Sequence, residues 1–230
     1  MAAENIRKYP DEFMDHNRMN RVMRHHLRNL CAGVKMTVER ISAMTAAINP
    51  QIGSRCDIII NELDTLHRLT DRMDLLFDTL PGAKSRSLFE LVAALRRSFA
   101  ARFPFCALKL NGPETVLNLP YGSRLQLALE ELLTNAGEAA GENGSVVMTW
   151  NTAAGELEFI LENDGESFPA EIPTTPPIPF YTSRSRHDGL GLSIAYRIIV
   201  GTLNGDMVIS PGAGTTRTTC SLPTAETTHE

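Results

Sequence analysis

The chain has 230 residues, 43% of them hydrophobic, 21% charged and 6% aromatic, with a formal net charge of -5. That length buries one large core or two smaller ones, and the ordinary apolar content excludes extensive disorder. With 22 basic against 27 acidic residues, no net charge draws the chain to nucleic acid or to an anionic membrane. Apolar runs are far shorter than the ~20 residues that span a bilayer, so no membrane insertion is expected. The polar start MAAENIRKYPDEF is followed by no apolar segment, so no signal peptide is expected either, and a soluble, cytoplasmic protein is anticipated. Cys31, Cys56, Cys106 and Cys220 stand too far apart to match a metal-ligand pattern and read as core residues.

Residues 11–47 contain no proline and a single glycine, Gly33. Met23, Leu27, Leu30, Val34, Val38 and Ile41 follow one another by three or four residues, within about 80° of a helical wheel, and predict a long helix. Residues 48–54, punctuated by Pro50 and Gly53, predict a break. A second stripe, Ile59, Leu63, Leu66, Leu69, Met73, Leu76 and Leu80, has the ~3.5-residue period of a coiled coil. Two long helices and a short loop make an antiparallel hairpin over residues 1–82, ended by Pro81-Gly82. One hairpin cannot enclose its own seam, so a homodimer forming a four-helix bundle is expected.

From residue 83 the pattern is mixed. Residues 88–102 predict a helix, 106–110 and 116–119 short strands, and 125–140 a helix burying Leu125, Leu129, Leu132 and Leu133. Residues 146–150 and 157–161 predict strands around the turn Ala153-Ala154-Gly155. An aperiodic, proline-bearing stretch covers 166–188, then 190–200 predicts a helix and 207–209 with 215–222 a terminal hairpin. That order predicts an α/β sandwich over 83–223, with 224–230 as a frayed tail, so the chain as a whole is α+β.

Four segments stand in an informative order: Arg24-His25-His26-Leu27-Arg28-Asn29, Glu130-Glu131-Leu132-Leu133-Thr134-Asn135-Ala136, Glu162-Asn163-Asp164-Gly165 and Asp188-Gly189-Leu190-Gly191-Leu192. Each alone is a weak signal; together and in order they are a strong one. In this set the chain resembles the catalytic core of a sensor histidine kinase over about residues 12–223. The hairpin resembles the dimerisation and histidine-phosphotransfer domain. The α/β part resembles the ATP-binding domain of the GHKL superfamily, shared with gyrase B.

The resemblance implies that His25 is the phosphoacceptor, since His-x-Leu-Arg-Asn puts it at the family's phosphorylated position. Helical geometry agrees, because with Met23 at zero His25 falls near ~200°, away from the apolar stripe, and His26 near ~-60°, at its edge. Most such kinases have an acidic residue after the phosphoacceptor, where this chain has His26, whose neutral imidazole can accept a proton. Leu30 replaces a frequent proline, which weakens any helix kink. Asn29, one turn after His25, matches the residue that orients water for dephosphorylating the partner in similar kinases.

The resemblance further implies Mg²⁺-ATP as the ligand, with Asn135 as a Mg²⁺ ligand through its hard carbonyl oxygen. Glu131, at the place of the general base of related ATPases, is a second candidate for Mg²⁺ or its water shell, and Glu130 reads as an outer-face charge. Asn163, Asp164 and Gly165 match the first glycine box, with Asn163 where an aspartate usually reads the adenine amino group. Gly189, Leu190, Gly191 and Leu192 precede a helix, as phosphate-binding loops do, with His187 at the place of the usual first glycine. Phe180-Tyr181-Thr182-Ser183-Arg184 resembles the end of the ATP lid, with Arg184 a phosphate contact and Arg186 a weaker one. Gly214-Thr215-Thr216 is read as structural.

A response-regulator receiver domain is the implied partner. The short segment before the hairpin is too small for a sensor domain, so a separate sensor protein, or a longer kinase of which this is a fragment, is expected to carry the signal. The competing expectation is a phosphorelay protein whose nucleotide domain no longer uses ATP.

Overall fold

The computed structural model describes residues 11–45, 48–78, 80–153, 155–166, 176–182, 187–212 and 214–224. It divides into two compact units, Met1–Leu80 and Pro81–Glu230. Among the described residues no helix is long and apolar enough to cross a membrane.

The first unit is the expected hairpin of α1 (Asp11–Thr45) and α2 (Pro50–Phe77). The break between them is tighter than the 48–54 expected from sequence. Asn49 caps α2, its side chain accepting the Gln51 N–H at 3.0 Å, and Pro50 takes the first helical position. Proline is at home there because that N–H has no intrahelical partner, and Gly53 lies inside the helix in open space.

The seam between α1 and α2 differs from the apolar stripe. On α1 the buried and half-buried positions are Arg24, Arg28, Cys31, Lys35, Val38, Ser42 and Thr45, a strict alternation of four and three. Met23, Leu27, Leu30, Val34 and Ile41 are exposed in the single chain, Leu30 at 64%. Charge pairs hold the helices instead: Arg21 Nη2 reaches Asp78 at 2.6 Å, Arg24 Nε reaches Asp74 at 2.5 Å, and Lys35 Nζ reaches Asp64 at 2.6 Å. Arg28 bridges Asp71, at 3.0 Å, and Asp74. Burial works against ionisation of Asp74, but the hydrogen bonds and charges of Arg28 and Arg24 outweigh it and hold the carboxyl below its usual range.

The second unit opens with β1 (Arg86–Ser87) and α3 (Leu88–Arg102), joined by a capping box. The Ser87 Oγ accepts the Glu90 N–H at 3.2 Å, and the Glu90 carboxylate accepts the Ser87 N–H at 2.9 Å. β2 (Ala107–Asn111) and β3 (Asn118–Leu119) follow, and β3 pairs antiparallel with β1. Then come α4 (Gly122–Ala140), β4 (Ser145–Ala153), β5 (Glu156–Asp164), α5 (Gly191–Ile199), β6 (Asp206–Gly212) and β7 (Thr215–Pro223).

The main sheet has the order β2-β4-β5-β7-β6, parallel between β2 and β4 and antiparallel elsewhere, with β2 and β6 at its edges. Alternate residues point inward: Val146 and Met148, Leu157, Phe159 and Leu161, Met207 and Ile209, Cys220 and Leu222. They meet Leu91, Leu95, Leu125, Leu129, Ile194 and Ile198 of the helices, all fully buried. Truncating a core ring such as Phe159 to alanine costs about 3–5 kcal/mol. α3 and α4 approach closely at Gly137, where a Cβ would stand 2.9 Å from the Phe103 ring.

Candidate functional site

The open end of α4 gathers three of the four sequence segments. Asn135 and Glu131 lie one turn apart on that helix, both half-buried, and Glu138 follows on the next turn. The turn after β5 is drawn against the same end, because Glu166 N–H donates to Ala139 O at 3.1 Å, while Gly165 N–H donates to Gly214 O, before β7, at 3.2 Å. Gly165 has φ +105°, and any side chain there would run into the Ala139 carbonyl. Glycine is therefore required by the approach of two backbones.

Asn163 ends the inward row of β5, 5% exposed, paired across the sheet with Val146 and Thr216. Its Nδ2 donates to the Asp164 carbonyl at 3.1 Å. Asp164 faces the other way, its carboxylate accepting the Ser145 N–H and Oγ–H, each at 2.7 Å. Those two bonds hold the Asp164 carboxyl below the usual range. Of the two neighbours, Asn163 is thus the one set into the floor, and Asp164 pins β4. Thr216, buried beside Asn163, is a polar floor residue that the sequence reading took as structural only. Its inward place follows from strand alternation with Thr218 and Cys220.

The loop before α5 is a narrow neck. Phe180 N–H donates to Gly189 O at 3.0 Å, and both residues are left-handed, with φ +64° and +67°. A phenylalanine in that conformation is strained by about 1–2 kcal/mol. Leu190 N–H turns back to Asp188 Oδ1 at 3.0 Å, and Gly191 and Leu192 open α5, whose N-cap residue, Leu190, offers no side-chain acceptor. His187 Nδ1 stands 3.2 Å from Glu138 Oε2, joining the neck to α4, and the other Glu138 oxygen accepts from Arg102 at 3.1 Å. Arg184 and Arg186 lie outside the described residues, as do Ser183 and most of the expected tail.

In the first unit, His25 and His26 are exposed on α1, with ring centroids 6.3 Å apart. Asn29 Nδ2 lies 3.3 Å from His25 Nε2. Of the cysteines, Cys31, Cys56 and Cys220 are buried, while Cys106 is half-buried. Burial pushes the Cys220 thiol up to about 12.

Asn135 and Glu131 offer hard oxygen donors that suit Mg²⁺ held jointly with phosphate oxygens and water. Among the described residues no group of three or more His, Cys, Asp or Glu could hold a metal ion by protein ligands alone.

Residues 121–226 match the family described as histidine kinase-, DNA gyrase B-, and HSP90-like ATPase. The chain is 29% identical to the C4-dicarboxylate transport sensor protein DctB of Rhizobium meliloti, over 67% of this chain and 27% of that protein. It is 24% identical to the sensory histidine kinase/phosphatase NtrB of Rhodobacter capsulatus, over 90% of this chain and 62% of that protein. The chain thus spans about a quarter of DctB and under two thirds of NtrB. Among solved structures, histidine kinase ThkA in complex with response regulator protein TrrA superposes with a TM-score of 0.63 at 20% identity, over 95% of this chain and 68% of ThkA. A helical hairpin followed by a mixed sheet under three helices, with residues 121–226 matching the histidine kinase-, DNA gyrase B- and HSP90-like ATPase family, makes this chain similar to a sensor histidine kinase core.

Proposed function

We propose that the chain is an ATP-dependent protein-histidine kinase of a two-component system, transferring the γ-phosphoryl group to His25 and then to an aspartate of a response-regulator receiver domain. The observation that carries this reading is the gathering of the Asn163–Gly165 turn and the α5 N-terminus at the open end of α4, the end that bears Glu131 and Asn135. First-turn amides of α5 suit phosphate oxygens, and the neck at Phe180 and Gly189 suits a segment that must close over a nucleotide.

In this reading Asn163 accepts the adenine amino group and Gly165, Gly189, Leu190, Gly191 and Leu192 line the nucleotide, with Asp164 in support and Arg184 as a phosphate contact. Asn135 and Glu131 would hold Mg²⁺, which when bound neutralises charge on the phosphate oxygens. His25 Nε2 supplies the lone pair that forms the N–P bond as the bond to ADP breaks, and the imidazole proton passes to His26 or to water. Catalysis of this kind is mainly positioning and charge neutralisation.

Asn29, against His25 Nε2, supports a second activity, dephosphorylation of the regulator by an oriented water. The exposed apolar stripe of α1 supports a homodimer through the hairpin, as a four-helix bundle. The domains we assign are 1–82 for dimerisation and phosphotransfer, 83–223 for ATP binding, and 224–230 as a tail. We also propose a cytoplasmic location.

The test is incubation with γ-labelled ATP and Mg²⁺ of the wild type, His25→Ala and His26→Ala. Acid-labile, alkali-stable label lost in His25→Ala is the expected result. Label lost only in His26→Ala would move the acceptor by one residue. No label in any protein, with His25 still accepting phosphate from a phosphorylated receiver, would favour the phosphorelay reading.

A further inference from the structure

The charged rungs between α1 and α2 are unevenly placed. Arg21, Arg24 and Arg28 face Asp78, Asp74 and Asp71 at the end of the hairpin that carries His25. Toward the turn the seam is made mostly of small residues, with Cys31, Val38 and Cys56 buried and Ser42 and Thr45 half-buried, interrupted by the Lys35–Asp64 rung. The segment bearing His25 is therefore held by directional bonds, where a bundle would ordinarily use side-chain packing.

One carboxylate is central. Asp74 takes Arg24 Nε on Oδ1 and Arg28 Nη2 on Oδ2, so both its oxygens grip α1, one turn apart. The Arg24 side chain is 3% exposed, with Asp78 a further 3.5 Å from its Nη2. Its Nη1 is buried with no hydrogen-bond partner among the described residues. A buried guanidinium left partly unsatisfied contributes little stability compared with a packed apolar side chain. Its contribution is geometric: two arginines one turn apart on one carboxylate restrict the rotation of α1 about its axis. His25 follows Arg24 directly, about 100° further round the helix.

We infer that Asp74, through Arg24 and Arg28, is a positioning residue for phosphoryl transfer at His25, fixing the rotation of α1 that aims the imidazole. The inference rests on the kinase reading above. A side chain reaching about 6 Å from the helix axis moves about 2 Å when the helix turns by about 20°. Displacements of about 1 Å at a reacting atom can cost on the order of 10²-fold in rate. The Lys35–Asp64 rung, more than a turn away, has no such leverage on His25.

The test compares Asp74→Asn, Asp74→Glu and Asp64→Asn in the full chain, with two phosphoryl donors. ATP demands an aimed imidazole; phosphoramidate, a small freely diffusing donor, demands only an exposed one. Asp74→Asn is expected to lower kcat for His25 labelling from ATP by at least about tenfold, with KM for ATP changed less than about twofold. Labelling by phosphoramidate should stay within about twofold, Asp74→Glu should restore much of the ATP rate, and Asp64→Asn should leave both donors unaffected. Equal ATP rates in wild type and Asp74→Asn would overturn the inference. So would a parallel loss with both donors, or the same loss in Asp64→Asn, since either signals general loosening of the hairpin. If wild type takes no label from ATP, the kinase reading fails, and the variants are compared for transfer from a phosphorylated receiver to His25. Equal transfer into wild type and Asp74→Asn would then overturn the positioning role.

Discussion

Asn29 sets its amide nitrogen 3.3 Å from Nε2 of His25, one helical turn earlier. When that amide donates, Nε2 presents its lone pair and Nδ1 carries the ring proton. On the proposed function, the same amide would orient a water for dephosphorylating the receiver. In Asn29→Ala, dephosphorylation of the receiver should therefore fall by about tenfold more than the rate of His25 labelling changes. The measurement is loss of label from a phosphorylated receiver beside ATP labelling of the same variant.

Gly189 is closely approached by the backbone of Phe180 and Tyr181. An alanine there meets φ +67°, and its Cβ would stand 2.6 Å from the Phe180 carbonyl carbon and 2.7 Å from Tyr181 O. The backbone strain alone is about 1–2 kcal/mol. Gly189→Ala should weaken binding of a fluorescent ATP analogue by about tenfold or more, while the far-ultraviolet circular dichroism of the helices is retained.

The Asp74 carboxyl lies below its usual range in the folded hairpin. A lowered folded value means stability fully present above the unfolded value, about 3.9, and lost as pH falls through the folded one. Thermal melts of the hairpin helices should thus be level near neutrality and decline only below about pH 4. In Asp74→Asn that acid-limb decline should be shallower, because the group that gains the proton is gone.

Ser87 serves both β1 and the capping box of α3. Ser87→Ala should destabilise the second unit by about 1 kcal/mol. Its melting temperature should fall by about 2–4 °C, measured by calorimetry.

Where local chemistry decided the structure, the sequence was legible. The helix over 88–102 was found to the residue, because Ser87 and Glu90 mark its start and Phe103-Pro104 its end. Strands of the main sheet were placed but cut short, since Glu162, Asn163 and Asp164 look like loop residues and are held by pairing with β7. β1 was invisible: two residues, Arg86 and Ser87, form a strand only because Asn118 and Leu119 lie opposite. The start of α2 was misjudged because Pro50 reads as a breaker until its position at the first turn is known. The hairpin seam escaped for a different reason. Periodicity finds apolar stripes, and this seam is made of Arg24, Arg28, Lys35 and their aspartates. At the candidate site, the residue types named the segments, but only the fold separated Asn163, turned into the floor, from Asp164, turned to Ser145.

The sheet ends in β2 on one side and β6 on the other, and neither margin invites another strand. β6 carries Pro211, which has no N–H to offer, and β2 turns Lys109 outward. A chain that discourages growth at both margins of its sheet resists fibrillar stacking while keeping greasy helix surface uncovered elsewhere. The exposed apolar side chains of Met23, Leu27, Leu30 and Val34 stand instead on α1, the helix that carries His25.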